Sequence, residues 1–195
     1  MTVVKTCCAA VLAVSISLTA HAAQIEVGGV KLEDSAEVQG TKLQLNGAGV
    51  RSRAIFKVYT IALYTGKKVA SAEELAAAPG PKRMALTMLR EVDSDDLGKA
   101  FTKGFEDNVA KSEQPKLAAS LAKIGQLFAD QKKVVAGDVI LLDWVPGTGM
   151  TVSIKGKVQG EAFKDVEFYN AMMRIWLGTS PADAKLKDAL LGKPS

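Results

Sequence analysis

Arg51 and Arg53 follow the glycine-rich stretch Gly47-Ala48-Gly49 and precede the run Phe56-Lys57-Val58-Tyr59-Thr60-Ile61-Ala62-Leu63-Tyr64. A guanidinium presents a planar fork of donors suited to a carboxylate or a phosphate. Tyr59 adds a phenolic donor. If Arg51 and Tyr59 face one cavity, the pair can hold an anion, with charge from the arginine and a directed hydrogen bond from the tyrosine. The same residues also read as a surface arginine pair beside a core tyrosine, and spacing alone leaves both open. Asn108 lies among Glu106, Asp107 and Lys111 and by itself reads as a solvated side chain. Asp138 and Asp143 read as turn or surface carboxylates. No Asp/Glu cluster has ligand spacing, so no metal site is expected. Gly47-Ala48-Gly49 lacks the lysine and the helix of a phosphate loop. Met172, Met173 and Trp176 read as core.

The residue types that are absent narrow the chemistry further. The two cysteines, Cys7 and Cys8, and the single histidine, His21, all lie in the first 22 residues. That segment reads as a secretion signal. Lys5 supplies the positive start, Cys7 to Leu18 the apolar stretch, and Ala20-His21-Ala22 the small-x-small cleavage pattern. A lipid-carrying cysteine would follow the apolar stretch, whereas these precede or begin it. Cleavage after Ala22 removes 22 of the 195 residues and leaves 173, with neither cysteine nor histidine. A disulfide framework is excluded, as are a Cys/His zinc site and a histidine-dependent nucleophile. The formal charge of +4 falls to +3 without Lys5, and the basic residues interleave with acids, so no nucleic-acid partner is expected. After Ala22 no apolar stretch approaches the ~18–20 residues of a membrane span. The expectation is a single exported domain at residues 23–195, periplasmic in a two-membrane bacterium.

Around these residues the hydrophobic pattern predicts the elements that must hold them. Ile25, Val27, Val30 and Leu32 alternate in short stretches broken by glycine, and Lys42 to Leu45 reads as a strand. Asn46 to Gly49 reads as a turn. Phe56 to Tyr64 is a strand apolar on both faces, hence central and covered on both sides. Ser71 and Glu74 form a capping box for a short helix, and Lys82 to Leu89 is a strand. Asp93 or Ser94 caps a helix with Leu97, Phe101, Phe105 and Val109 on one stripe. Pro115 opens another, with Leu117, Leu121, Ile124 and Phe128 inward. Val139 to Val145 and Met150 to Ile154 flank a hairpin turn, and Lys157 to Glu161 is a third short strand. Asp165 caps a helix ending at Gly178. Ser180 with Pro181 caps a last helix ending at Gly192. Strands, two long helices, a hairpin, then helices imply an α+β fold: a large antiparallel β-sheet covered by a layer of α-helices.

In their order and spacing these pieces resemble the chalcone isomerase superfamily over nearly the whole mature chain. The resemblance rests on Gly47 to Arg51 with Phe56 to Tyr64, and on Phe101-Thr102-Lys103-Gly104-Phe105-Glu106-Asp107-Asn108. Trp144-Val145-Pro146-Gly147 and Arg174-Ile175-Trp176-Leu177-Gly178 with Pro181 to Leu191 complete it. It looks most like the exported bacterial members. It implies an open-faced sandwich with a ligand cleft between sheet and helices.

The enzyme branch of that superfamily closes a chalcone to a flavanone. It uses an arginine, threonine and tyrosine hydroxyls that arrange a water, and lysine and asparagine from the helix. Arg51 matches the arginine and Asn108 the asparagine. Tyr59 stands where the strand threonine is expected, with Thr60 one residue on and facing the other way in a regular strand. Phe101 replaces the helix tyrosine, Gly104 the lysine, and Ile175 falls near a polar pocket position. Losing one such donor costs ~10²–10³ in rate, which argues against efficient chalcone chemistry. A non-catalytic branch holds a fatty-acid carboxylate with an arginine and a tyrosine, and Arg51 with Tyr59 suits that pattern better. Phe101, Gly104 and Ile175 would make the cleft more apolar and roomier.

The expected function is therefore an exported binding protein for a fatty-acid-like or other amphipathic carboxylate, using no cofactor. Its ligand-binding residues are Arg51, Tyr59, Thr60, Phe101, Asn108 and Ile175. The alternative is an intramolecular lyase of chalcone isomerase type acting on a conjugated ketone, with Arg51 as its catalytic residue. A third reading is an interaction protein whose cleft is filled by Phe101, Ile175 and Trp176.

Overall fold

Alternating apolar residues in the first part of the chain fold as a run of antiparallel strands, in a computed structural model that describes residues 23–193. The expected signal, residues 1–22, lies outside the described residues. β1 (Gln24–Val27) and β2 (Val30–Glu33) form a hairpin around Gly28 and Gly29, both at positive φ. β3 (Ser35–Val38), β4 (Thr41–Arg53) and β5 (Phe56–Thr65) follow as a meander. α1 (Ala72–Ala77) begins where the Ser71 hydroxyl accepts the Glu74 amide at 3.1 Å; the Glu74 carboxylate reaches back to the amide of Ala70 at 2.8 Å. β6 (Lys82–Met88) then lies beside β5.

The chain leaves the sheet through β7 (Val92–Asp93), α2 (Ser94–Glu106) and α3 (Gln114–Ala129), and β8 (Lys133–Val134) closes the excursion by pairing with β7. It returns as β9 (Val139–Val145), β10 (Gly149–Ile154) and β11 (Lys157–Phe163), then ends in α4 (Val166–Leu177) and α5 (Ala184–Leu190). Seven strands make one antiparallel sheet in the order β11-β10-β9-β6-β5-β4-β3. The expected α+β architecture is the one found. β3 and the β7–β8 pair are additions to it, too short to carry a readable period.

The main core lies between the sheet and the helices. Tyr59, Ile61, Leu63, Met84, Leu86, Ile140 and Leu142 face Phe101, Phe105, Phe128, Phe168, Met172 and Trp176. A smaller cluster on the opposite face joins Leu32 of β2 to Val38, Leu43, Ala62 and Tyr64. This is why β5 is apolar on both sides: helices cover one face, and the β1–β2 hairpin packs on the other.

Three local readings are overturned. Asn46 to Gly49 is not a turn but the middle of β4, and the turn falls at Ala54-Ile55, between the paired residues Arg53 and Phe56. The last helix is capped by Asp183, whose carboxylate accepts the Leu186 amide at 3.2 Å, and not by Ser180. Asp143 is not a turn carboxylate: it sits mid-strand in a two-point ion pair with the cross-strand Arg83, both oxygens at 2.6 Å.

Candidate functional site

One face of β4 carries Gly47, Gly49 and Arg51 in succession. The two glycines are there for α5. A Cβ at Gly47 would lie 2.7 Å from the Leu190 carbonyl oxygen, and one at Gly49 would lie 2.8 Å from the Leu186 side chain. Lacking them, β4 lets α5 sit directly against its backbone. Asn46, buried at the bulge before Gly47, fastens the far end by donating to the Leu190 carbonyl at 2.7 Å. This docking brings the start of α5 over Arg51. Arg51 Nη1 lies 3.6 Å from the Asp183 carboxylate and also donates to the Ser52 carbonyl. Both contacts run through Nη1, which leaves the Nη2 arm of the fork for a ligand.

Tyr59 is paired directly opposite Arg51 across β4 and β5, so their side chains leave the sheet on the same side. A β-bulge follows: Arg51 pairs with Tyr59, but the next residue, Ser52, pairs with Lys57, and Val58 is the extra residue. A bulge breaks alternation and re-aims side chains. Strict alternation would put Val58 on the far face; instead it joins Tyr59 in lining the cleft. The Tyr59 hydroxyl oxygen accepts the indole Nε1–H of Trp176 at 3.0 Å. That bond occupies the oxygen as acceptor and leaves its own O–H to donate. Burial raises the Tyr59 phenol above its usual value near 10; the Trp176 hydrogen bond and the Arg51 charge pull the other way, and Asp183 adds to the rise. Tyr59 is therefore a neutral donor at physiological pH.

Arg51 and Tyr59 open into a cleft of about 1010 Å³ between the β4–β5 end of the sheet, α2 and the α4–α5 connection. This is at the upper end of small-molecule pockets. Phe101 and Ile175 form its apolar floor. Phe101 stands edge-on to Trp176 with ring centres 5.5 Å apart. Gly104 does not enlarge the cleft as expected, because Ile175 takes the space: a Cβ at Gly104 would lie 2.8 Å from Ile175 Cγ2. Neither Phe101, Ile175 nor the fully buried Trp176 fills the cavity.

Two expected site residues lie elsewhere. Thr60 points to the opposite face of the sheet and donates to the Val27 carbonyl of β1 at 3.1 Å. Asn108 is half-buried and hydrogen-bonded to backbone, not left to solvent, and does not line the cleft. Its amide donates to the Gly104 and Ser180 carbonyls, each at 2.8 Å, and its oxygen accepts the Ser180 amide at 2.9 Å. Every polar atom of Asn108 is thus spent on tying the α4–α5 connection to the end of α2.

Asp183 and Trp176 were not among the expected site residues. Asp183 had a local signal, an aspartate three residues before Leu186 at a helix start. Trp176 had none beyond being apolar and large. Arg53, Arg90, Lys99 and Lys103 add positive charge at the rim. Lys99 and Lys103 are offset by Asp96 at 3.9 Å and Asp107 at 2.9 Å. Among the described residues, no three His, Cys, Asp or Glu side chains come close enough to hold a metal ion.

A seven-stranded antiparallel sheet backed by helices, with a cleft walled by an arginine and a neutral tyrosine, makes an open-faced α+β sandwich. The chain belongs to the chalcone isomerase-like family, whose model matches residues 23–192. Its fold is similar to that of a fatty-acid binding protein from Arabidopsis thaliana seen by crystallography. The TM-score is 0.64 at 18% sequence identity, over 84% of this chain and 92% of that one. At this identity the likeness is one of fold. No curated protein sequence matches the chain significantly.

Proposed function

We propose that this protein binds a fatty-acid-like or other amphipathic carboxylate, with the head group on Arg51 and Tyr59 and the tail over Phe101, Ile175 and Val58. The observation that carries the reading is the cross-strand pairing of Arg51 with a neutral Tyr59, whose oxygen accepts from Trp176 and whose own O–H remains to donate. A carboxylate placed between them takes a charge-assisted bond from Nη2 and a second bond from the phenol. Each methylene buried along the floor adds ~0.8 kcal/mol. That the similar Arabidopsis fold binds fatty acids supports the same ligand class.

Asp183 shapes the site without defeating it. It holds one arm of the guanidinium at 3.6 Å while the pair is about a quarter exposed, so the attraction is weak. A ligand carboxylate competes with Asp183 or shares Arg51 with it. The same geometry disfavours a chalcone-type lyase: Asn108 is committed to backbone, Gly104 offers no amine, and Thr60 faces away. Export through residues 1–22 belongs to the proposal, supported by their composition. N-terminal sequencing of protein from separated cell fractions tests it.

Native mass spectrometry of gently purified protein, followed by titration with a fluorescent fatty acid, tests the ligand. Co-purifying lipid, or micromolar binding lost in Arg51→Ala, is expected. Empty protein that ignores fatty acids at micromolar concentration would sink the proposal.

A further inference from the structure

The Ala54-Ile55 turn joining β4 to β5 is built unlike an ordinary hairpin turn. Such turns favour Gly, Asn or Asp, which are polar or tolerate positive φ. Here Ala54 takes a φ of 53° and the next two residues are Ile55 and Phe56. Ile55 is 88% exposed and Phe56 54% exposed. Arg53 and Lys57 flank them on the two strands. Arg90, just after β6, holds its guanidinium carbon 4.9 Å from the Phe56 ring centre. Among the described residues none of these three cations is in an ion pair. The acids nearby are otherwise engaged: Glu91 with Lys133 at 2.9 Å, Asp96 with Lys99 at 3.9 Å, and Asp93 as the cap of α2.

We infer that this tip docks the protein on an anionic lipid surface. Two protruding apolar side chains ringed by cations match the two layers they would meet: the acyl boundary for Ile55 and Phe56, the phosphates for Arg53, Lys57 and Arg90. A protein partner fits less well, because a stable interface buries about 800 Å² on each side, far more apolar surface than two side chains offer. The tip is also the mouth of the cleft. Phe56 and Val58 both line the cleft, so apolar side chains lead from the turn to the cavity wall. A tail can pass from bilayer to cleft along that path while its carboxylate moves toward Arg51. The purpose of docking rests on the ligand reading above; docking itself does not.

The test compares the wild type with the Ile55→Asp/Lys57→Glu double variant on vesicles of phosphatidylcholine with and without phosphatidylglycerol. Both proteins share one N-terminus, so residues 1–22 contribute equally. The wild type is expected to partition at least tenfold more onto the anionic vesicles. That preference should collapse at ~1 M salt, where charges are screened beyond ~3 Å, and the double variant should lose it. An Ile55→Trp variant supplies a second readout, since Trp144 and Trp176 are only 8% and 0% exposed. Brominated lipid should quench its fluorescence well beyond that of the wild type. Equal binding by the double variant, equal binding to neutral vesicles, or an unquenched tryptophan at position 55 overturns the inference. So does capture of an acidic protein with no vesicle binding. Neither Ile55 nor Lys57 lines the cleft, so the double variant should titrate fatty acid in vesicle-free buffer as the wild type does. Vesicle binding without any fatty-acid binding would retain the docking surface and discard the ligand reading.

Discussion

The indole nitrogen of Trp176 donates to the Tyr59 hydroxyl at 3.0 Å, a buried bond that joins α4 to β5. It fixes which way the phenol can donate, and it makes each group depend on the other. Tyr59→Phe should therefore leave the Trp176 N–H buried without a partner, a cost of about 1–3 kcal/mol. Denaturant unfolding reads this directly. Carboxylate affinity should fall roughly tenfold in the same variant, the worth of about one hydrogen bond. Unchanged stability would mean that the indole finds another acceptor.

In the proposed binding mode Arg51 is shared between Asp183 and the ligand, so changes at the two residues should have opposite effects. Arg51→Ala should weaken fatty-acid binding roughly 10- to 100-fold, the range for a bond to a charged group. Asp183→Asn removes the competing charge yet keeps a good helix cap. It should tighten binding about two- to tenfold with little change in stability, measured by titration and thermal melting together. Weaker binding in Asp183→Asn would show that the aspartate helps to hold the ligand.

Gly49→Ala and Gly47→Ala test the docking of α5. The added methyl groups would collide with Leu186 and with the Ala189 and Leu190 backbone respectively. At Gly49 the obstacle is a side chain, and a loss of about 1–3 kcal/mol is expected. Gly47→Ala meets backbone, which cannot step aside, and should cost more. Equal, negligible losses in chemical denaturation would contradict the close approach.

Asn108→Ala should loosen the α4–α5 connection, costing about 1–2 kcal/mol for bonds that are partly solvated. Fatty-acid affinity should stay within about threefold. If affinity instead collapsed while stability held, Asn108 would be a ligand contact after all.

Three buried tyrosines set the alkaline limit, Tyr64 in the smaller core cluster and two in the main core. Burial is the main cause that raises Tyr59, Tyr64 and Tyr169 above the ordinary value near 10. In the unfolded chain all three ionise near pH 10, while in the folded protein they stay neutral. Their contribution to stability is complete below about pH 10 and is lost as pH rises toward the raised folded values. Unfolding titrations from pH 8 to ~11.5 should show the decline. Tyr169→Phe should make it shallower, with Tyr59 and Tyr64 supplying the rest. Because the Tyr169 hydroxyl is buried without a protein partner, that variant should also match or exceed wild-type stability at neutral pH. A loss of more than about 1 kcal/mol there would reveal an unseen partner for the hydroxyl.

The sequence by itself determined the strands and helices whose evidence is local. The apolar run Phe56 to Tyr64, the caps at Ser71, Asp93 and Asp165, and the stripe Leu97, Phe101, Phe105 each carry their own periodicity or end signal. They were enough for the architecture and for Arg51 and Tyr59 as a candidate pair. What only the tertiary structure decided concerns contacts between distant segments. Gly47 and Gly49 look like a turn, since glycine's commonest role is local; here they are flat ground for α5, some 140 residues on. Asn108 looks solvated among charges, but its partners at Ser180 come from another element. Val58 alternates to the wrong side because a bulge depends on the pairing of β5 with β4. Asp183 and Trp176 became part of the site only once α5 and α4 were packed on the sheet. A side chain's local period reports which way it points; what it meets there is set by close packing between elements far apart in the chain.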